Sequence, residues 1–266
     1  MSHQILSGKA YLVTGGGTGI GKACAARLAA DGAVITITGR TEASLQAAAD
    51  EINGGLQGAG KIQYHAGDVT NEADVITMIA TTSAATGGCN GVVANAGGGG
   101  MPMPYGKLDT DEFMRVLNLN VLGTMLCMKH SIGPMIEQGG GSFVGMSSLA
   151  GHITHPYFHA YCAGKAGIEA MMRNAADEYG KDKLRFNAIR PGFIATEIMD
   201  GIPRDSEVYQ SYIENTPMND VGLPEDVAEL ARFLIGPESR WITGQCINVD
   251  GGHGLRRGPD FSSFVG

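Results

Sequence analysis

The stretch Thr14-Gly15-Gly16-Gly17-Thr18-Gly19-Ile20-Gly21 separates a short apolar run, Ala10–Val13, from an Ala-rich segment that continues to about Ala30. This order predicts a buried strand, a tight glycine turn and an amphipathic helix. Glycine permits the positive φ angles of such a turn and lets a ligand approach the backbone closely. The helix that follows adds unpaired N–H groups and a favourable dipole for an anion such as a phosphate. The spacing, Gly-x-x-x-Gly-x-Gly, is not the GxGxxG fingerprint. Packing alone would also explain a glycine-rich turn, but the strand–loop–helix setting at the head of the chain favours a dinucleotide.

The same rhythm repeats downstream. Strands are predicted at Val34–Thr38, Lys61–His65, Gly91–Asn95, Ser142–Ser147, Arg185–Ile189 and Gln245–Val249. Helices are predicted at Glu42–Ile52, Glu72–Ala85, Asp111–Ile136, Ala160–Tyr179 and Pro224–Leu234. Alternation of this kind implies one α/β domain over residues 1–266, a doubly wound, Rossmann-type parallel sheet of about seven strands with helices on both faces. Two segments fall outside the rhythm. Ala195–Met218 is expected to form a partly helical substrate flap, and the tail from residue 253 to 266, with Arg256, Arg257 and Pro259, is expected to reach a neighbouring subunit.

Composition narrows the function. The net charge of -8 argues against nucleic acid, which calls for a basic face. Five cysteines without paired spacing suit free thiols in a reducing cytoplasm. No apolar run has the length of a membrane span, and Met1–Lys9 lacks the layout of a signal peptide. A cytoplasmic protein acting on a small molecule is expected.

Tyr161-Cys162-Ala163-Gly164-Lys165, at the start of the helix after the fifth strand, places a phenol and an ammonium one helical turn apart. A phenol has a reference pKa near 10, so general acid–base work near neutrality asks for a shift of about three units. An ammonium at about 4 Å supplies that order of energy. The pair follows Ser147-Ser148 at the end of the fifth strand. His152, His155 and His159 lie between, but Pro156 breaks any shared helix face, so no metal site is expected.

The glycine loop, Tyr161 with Lys165, and Ser148 thirteen residues before Tyr161 together resemble the short-chain dehydrogenase/reductase superfamily, in its single-domain branch. The resemblance covers about Gly8 to Gly252. It implies hydride transfer between a nicotinamide cofactor and an alcohol or carbonyl carbon. Tyr161 is then the general acid or base, Lys165 its helper, Ser148 the group facing the substrate oxygen, and Asn120 of Asn118-Leu119-Asn120 the holder of a proton-relay water. Its cofactor contacts would be Gly15, Thr18, Gly19, Ile20 and Gly21 in the loop, Asp68 and Val69 after the third strand, and Asn95-Ala96-Gly97 after the fourth. Tyr161 and Lys165 join them, with Pro191, Gly192, Ile194 and Thr196 after the sixth strand. A family NAD binder carries Asp at the end of the second strand. Here Gly39 is followed by Arg40, so NADP(H) is favoured while NAD(H) stays open, because Thr18 takes the place of a second basic residue.

An apolar substrate is expected from the wall candidates Met101, Met103, Tyr105, His155, Tyr157, Phe158, Ile198, Met199 and Ile202. Enoyl reductases of this superfamily space their Tyr and Lys seven apart, and epimerases are longer; both fit poorly. The alternative of another class is a catalytically silent cofactor sensor or scaffold. A homo-oligomer, a tetramer by resemblance, is expected through the helices at Asp111–Ile136 and Ala160–Tyr179.

Overall fold

The computed structural model describes residues 4–197, 199–256, 258 and 261–265. The apolar runs become strands β1 (Ala10–Thr14), β2 (Val34–Gly39), β3 (Lys61–Ala66), β4 (Gly91–Ala94), β5 (Gly141–Met146), β6 (Leu184–Pro191) and β7 (Cys246–Val249). They form one fully parallel sheet in the order β3-β2-β1-β4-β5-β6-β7. β1 is buried along its whole length, as a strand covered on both faces must be.

Helices cover both faces. On one side α1 (Gly19–Ala30), α2 (Glu42–Gly55) and α8 (Pro224–Ile235) bury Leu28, Leu45, Val227 and Leu234 against Ile35 and Ile37. On the other, α3 (Glu72–Thr86), α5 (Gly123–Glu137) and α6 (His159–Tyr179) bury Met78, Leu126 and Met172 against Val92, Phe143 and Phe186. Each such side chain, fully buried, contributes about 1.5–3 kcal/mol, and these two layers hold the sheet rigid. The strand order reverses between β1 and β4, and a ligand crevice in an open α/β sheet lies at that reversal, beyond the carboxyl ends of the strands. No described helix is long and apolar enough to cross a membrane.

One expectation is corrected. Asp111–Ile136 is not a continuous α-helix: α4 (Thr110–Leu117) passes through a π-helical turn, Asn118–Leu122, before α5 begins. The Asn120 amide donates to the carbonyls of Val116 at 2.8 Å and Gly98 at 2.9 Å. The Thr124 hydroxyl donates to the Asn120 carbonyl at 2.7 Å. Side chains therefore claim carbonyls that an α-helix would use, and the ladder slips by one residue.

Ala195–Met218 contains a short 3-10 turn, Met199–Gly201, and helix α7 (Glu207–Asn215), whose Ser206 hydroxyl accepts from the Tyr209 N–H. Beyond β7, Phe261 is buried and Arg256 donates to the Glu214 carbonyl at 2.6 Å. Arg257 and Pro259 lie outside the described residues, as does Ile198.

Candidate active site

The glycine turn is as tight as its composition suggests. Gly15 and Gly19 have φ of +65° and +50°. A Cβ on Gly21 would fall 2.1 Å from the Gly15 carbonyl oxygen, and one on Gly15 would fall 2.9 Å from the Asn95 amide nitrogen. Asn95 donates to the carbonyls of Thr14 and Gly15 at 3.1 and 3.2 Å, while the Thr14 hydroxyl accepts from the N–H groups of Asn95 and Ala96. The ends of β1 and β4 are thus bolted together at the reversal point. Thr18 stands just before α1 without a side-chain cap bond, leaving the helix N-terminus open to a ligand. Thr196 and the Glu197 carboxylate come down beside Gly19, at 3.2 and 3.3 Å from where its Cβ would stand.

Arg40 is exposed just past β2. Asp68 sits close enough to feel its charge. Burial pushes the Asp68 carboxyl upward, but the Thr70 N–H and hydroxyl, each at 2.8 Å, and Arg40 hold it below its ordinary value. The cap of α3 is Asn71, whose side chain accepts from Ala73, so Asp68 forms a turn with Thr70 and is not the cap. Val69 is buried against Gly123, which a side chain would crowd at 2.7 Å.

Beyond β5 the structure gathers Ser148, Tyr161, Lys165 and Asn120. Ser148 leads a 3-10 turn, its hydroxyl accepts from the Ala150 N–H at 3.2 Å, and it lies near enough to the Tyr161 phenol to favour its ionised form. Lys165 is buried and donates to the Met146 carbonyl at 2.7 Å, with its ammonium 5.4 Å from the centre of the Tyr161 ring. Gly97 lies between Asn120 and Lys165: a Cβ there would be 2.6 Å from Asn120 Oδ1 and 3.0 Å from Lys165 Nζ. Gly164 faces the π-helical turn, where a Cβ on it would lie 3.2 Å from Asn120 Cβ.

The phenol departs from the sequence expectation. Burial raises the Tyr161 pKa, the nearby Ser148 hydroxyl works against that rise, and Lys165 does not reverse it. The reason is on the lysine side. Burial without a carboxylate partner lowers Lys165 to about 8, and its ammonium is committed to a carbonyl.

Glu169 and Tyr212 escaped the sequence reading. Ser147 is a structural group: its hydroxyl donates to Glu169 at 2.9 Å, and Glu169 takes Arg190 through two contacts of 2.6 and 2.5 Å. Glu169 stands one turn beyond Lys165 on the same face of α6, a spacing that could have singled it out. The second residue is Tyr212 of α7, stacked on Phe193 at 4.1 Å and near enough to Tyr161 to interact electrostatically. Nothing in its sequence surroundings marks it. After β6, the Gly192 N–H donates to the Val249 carbonyl at 2.9 Å, and a Cβ on Gly192 would meet Asp250 at 2.8 Å. Ile194 bridges to Gly222.

Of the wall candidates, Met101 and Tyr105 are largely exposed, and Tyr105 stacks on His159 at 3.4 Å. His155 and His159 are occupied by the carbonyls of Ile153 and Met103. Tyr157 holds a φ of +74°, and its carbonyl takes the Met103 N–H, tying the loop after β4 to the loop before α6.

Comparison with known proteins matches residues 15–254 to the family described as enoyl-(acyl carrier protein) reductase. The chain is 34% identical over 249 residues to a 2,5-dichloro-2,5-cyclohexadiene-1,4-diol dehydrogenase of Sphingobium indicum, covering 93% of this chain and 97% of that one. It superposes with a TM-score of 0.95 and 42% identity on a short-chain type dehydrogenase/reductase from Mycobacterium ulcerans, over 98% of this chain and 94% of the other. A 7 alpha-hydroxysteroid dehydrogenase complexed with NADH and 7-oxo glycochenodeoxycholic acid gives a TM-score of 0.88 at 29% identity, over 94% and 96% of the two chains.

Proposed function

Because this chain belongs to the short-chain dehydrogenase/reductase superfamily, and is a nicotinamide-dependent oxidoreductase acting on hydroxyl groups, we propose that it interconverts a ring alcohol and its ketone with Tyr161 as proton donor and acceptor. The observation that carries this reading is the convergence of Ser148, Tyr161 and Lys165 at the strand ends facing the glycine turn. The residues present fit a dinucleotide. Gly15 and Gly19 hold the positive φ of a tight turn, Gly21 and Gly97 let the surrounding segments pack closely, and the N-terminus of α1 has no side-chain cap. Thr18, Ile20, Asp68, Val69, Asn95 and Ala96 would hold it there, with Pro191, Gly192, Ile194 and Thr196 on the far side. When bound, the nicotinamide supplies or receives the hydride.

The chain's own groups manage the proton. Tyr161, kept protonated by burial, donates to the oxygen of a ketone as negative charge develops on it. Ser148 donates a second hydrogen bond to that oxygen and lowers its cost. Lys165 holds positive charge beneath the ring, and Asn120, fixed between Gly98 and Val116, keeps the π-helical turn open toward Lys165. The one-turn spacing of Tyr161 and Lys165 supports carbonyl chemistry over reduction of a carbon–carbon double bond. Ring substrates are supported by the two similar dehydrogenases, whose names specify a cyclohexadienediol and a steroid. The flap at Ala195–Met218, a cytoplasmic location and a tetramer complete the reading that the resemblance carries.

NADP(H) is the favoured partner because Arg40, exposed after β2, offers a guanidinium where Gly39 withholds a carboxylate. A hydrogen bond to a charged group is worth about 1.5–3 kcal/mol. Arg40→Gln is therefore expected to weaken NADPH binding about tenfold or more and to leave NADH within about twofold, read by nucleotide fluorescence titration. Equal weakening of both, or of neither, would remove the preference.

Lys165 sets a pH limit. In the folded chain it loses its proton near pH 8, against 10.5 for the exposed group. Ketone reduction by the free enzyme, read as kcat/KM, is expected to fall above pH 8. Stability moves the other way. Between about 8 and 10.5 the unfolded lysine holds a proton the folded one has released, so this residue's contribution to stability rises with pH. A flat kcat/KM to about pH 10 would rule out a needed ammonium.

A further inference from the structure

We propose that the C-terminal tail forms the outer wall of the substrate site and that Phe261 sets the size of ring the site admits. The inference rests on Tyr161 as the reacting residue. Three contacts tie described residues of the tail to the segments beside Tyr161. Arg256 bonds the Glu214 carbonyl at the end of α7. Gly258 passes so close to the loop before α6 that a Cβ on it would fall 1.9 Å from the Thr154 carbonyl oxygen. Phe261, only 6% exposed, meets Phe158 edge-on at 4.7 Å and Tyr212 at 6.2 Å between ring centres.

Both of those rings border the proposed reacting group. Phe158 is edge-on to Tyr161 at 6.3 Å, and the Tyr212 phenol, itself raised chiefly by burial, feels the Tyr161 phenol. Phe261 is therefore the keystone between one ring from the loop before α6 and one from the flap helix. Edge-to-face packing fixes all three rings in place. A fixed aromatic rim admits a flat apolar ring and stops a body that extends past it. Without Phe261 the Phe158 and Tyr212 rings lose the partner they share.

The test compares wild type, Phe261→Ala and Phe261→Trp on cyclohexanone, a two-ring decalone and a four-ring steroid ketone, with NADPH and NADH. A single methylene in an apolar pocket already shifts selection by roughly tenfold or more. Phe261→Ala is expected to move the four-ring to one-ring ratio of kcat/KM at least about tenfold toward the larger ketone, with nucleotide affinity unchanged. Phe261→Trp is expected to move it the opposite way, and carries the test if the alanine variant loses its fold. Hydrogen–deuterium exchange supplies a readout apart from turnover: in Phe261→Ala, residues 153–159 and Glu207–Asn215 are both expected to exchange faster. Unchanged ratios in both variants overturn the proposal, as does exchange that rises only in the tail. If the wild type reduces none of the ring ketones, the substrate reading fails at its root and the size filter falls with it. If the wild type turns over and Tyr161→Phe does not, while Phe261 variants keep the wild-type profile, the size filter alone is wrong.

Discussion

Tyr161→Phe is expected to lower kcat for ketone reduction by about a thousandfold while nucleotide binding stays within about twofold. The substitution removes one oxygen and leaves the ring, its edge contact with Phe158 and the Lys165 ammonium below it. On the proposed reading, what disappears is the proton Tyr161 would give to the substrate oxygen. General acid–base groups contribute about 10²–10⁴ in rate, and a thousandfold corresponds to about 4 kcal/mol of barrier. The split between kcat and nucleotide affinity is what separates a chemical role from a structural one. A variant that keeps most of its kcat would end the assignment. A wild type that binds nucleotide tightly yet turns over no carbonyl or alcohol would favour the silent sensor instead.

The centre of the sheet was legible in the sequence because its parallel strands are buried on both faces, so β1 and β4 are short, mainly apolar runs. Ala10–Thr14 and Gly91–Ala94 need no periodicity argument. The site motifs were legible for a related reason: Tyr161 and Lys165 are near in sequence and lie on one helix turn. The rest depends on contacts between distant segments. The π-helical turn at Asn118–Leu122 exists because Asn120 bonds Gly98, which lies twenty-two residues away. Only the low helix propensity of asparagine hinted at it. Phe261 and Tyr212 meet each other and the rings around them from segments with no motif, so nothing local distinguishes them from ordinary packing aromatics. The direction of the Tyr161 pKa failed for a different reason. The spacing shows that an ammonium is near, but not that burial weakens that ammonium and holds the phenol neutral.

The largest stability loss is expected from a residue with no proposed part in the chemistry. Glu169→Gln should destabilise the fold by about 3 kcal/mol, because it leaves the Arg190 guanidinium without its counter-charge. The Glu169 and Arg190 side chains are 5% and 13% exposed, so solvent screening offsets little of that loss. The carboxylate also accepts from the Ser147 hydroxyl, whose oxygen lies 3.1 Å from the Lys165 carbonyl oxygen. One buried carboxylate thus joins the end of β5, the middle of α6 and the end of β6, and Ser148 follows directly on Ser147. For a domain of this size, about 3 kcal/mol is a fall in Tm of roughly 6–12 °C, measurable by thermal denaturation. Activity should fall as well, through misplacement of Ser148, with kcat affected more than nucleotide affinity. Replacing both partners tests the cause. Glu169→Gln with Arg190→Met removes the stranded charge and should recover part of the lost Tm, since an unpaired buried charge is the costly part of a broken pair. A double variant as unstable as the single one would show that the loss came from the Ser147 contact and not from the unpaired arginine.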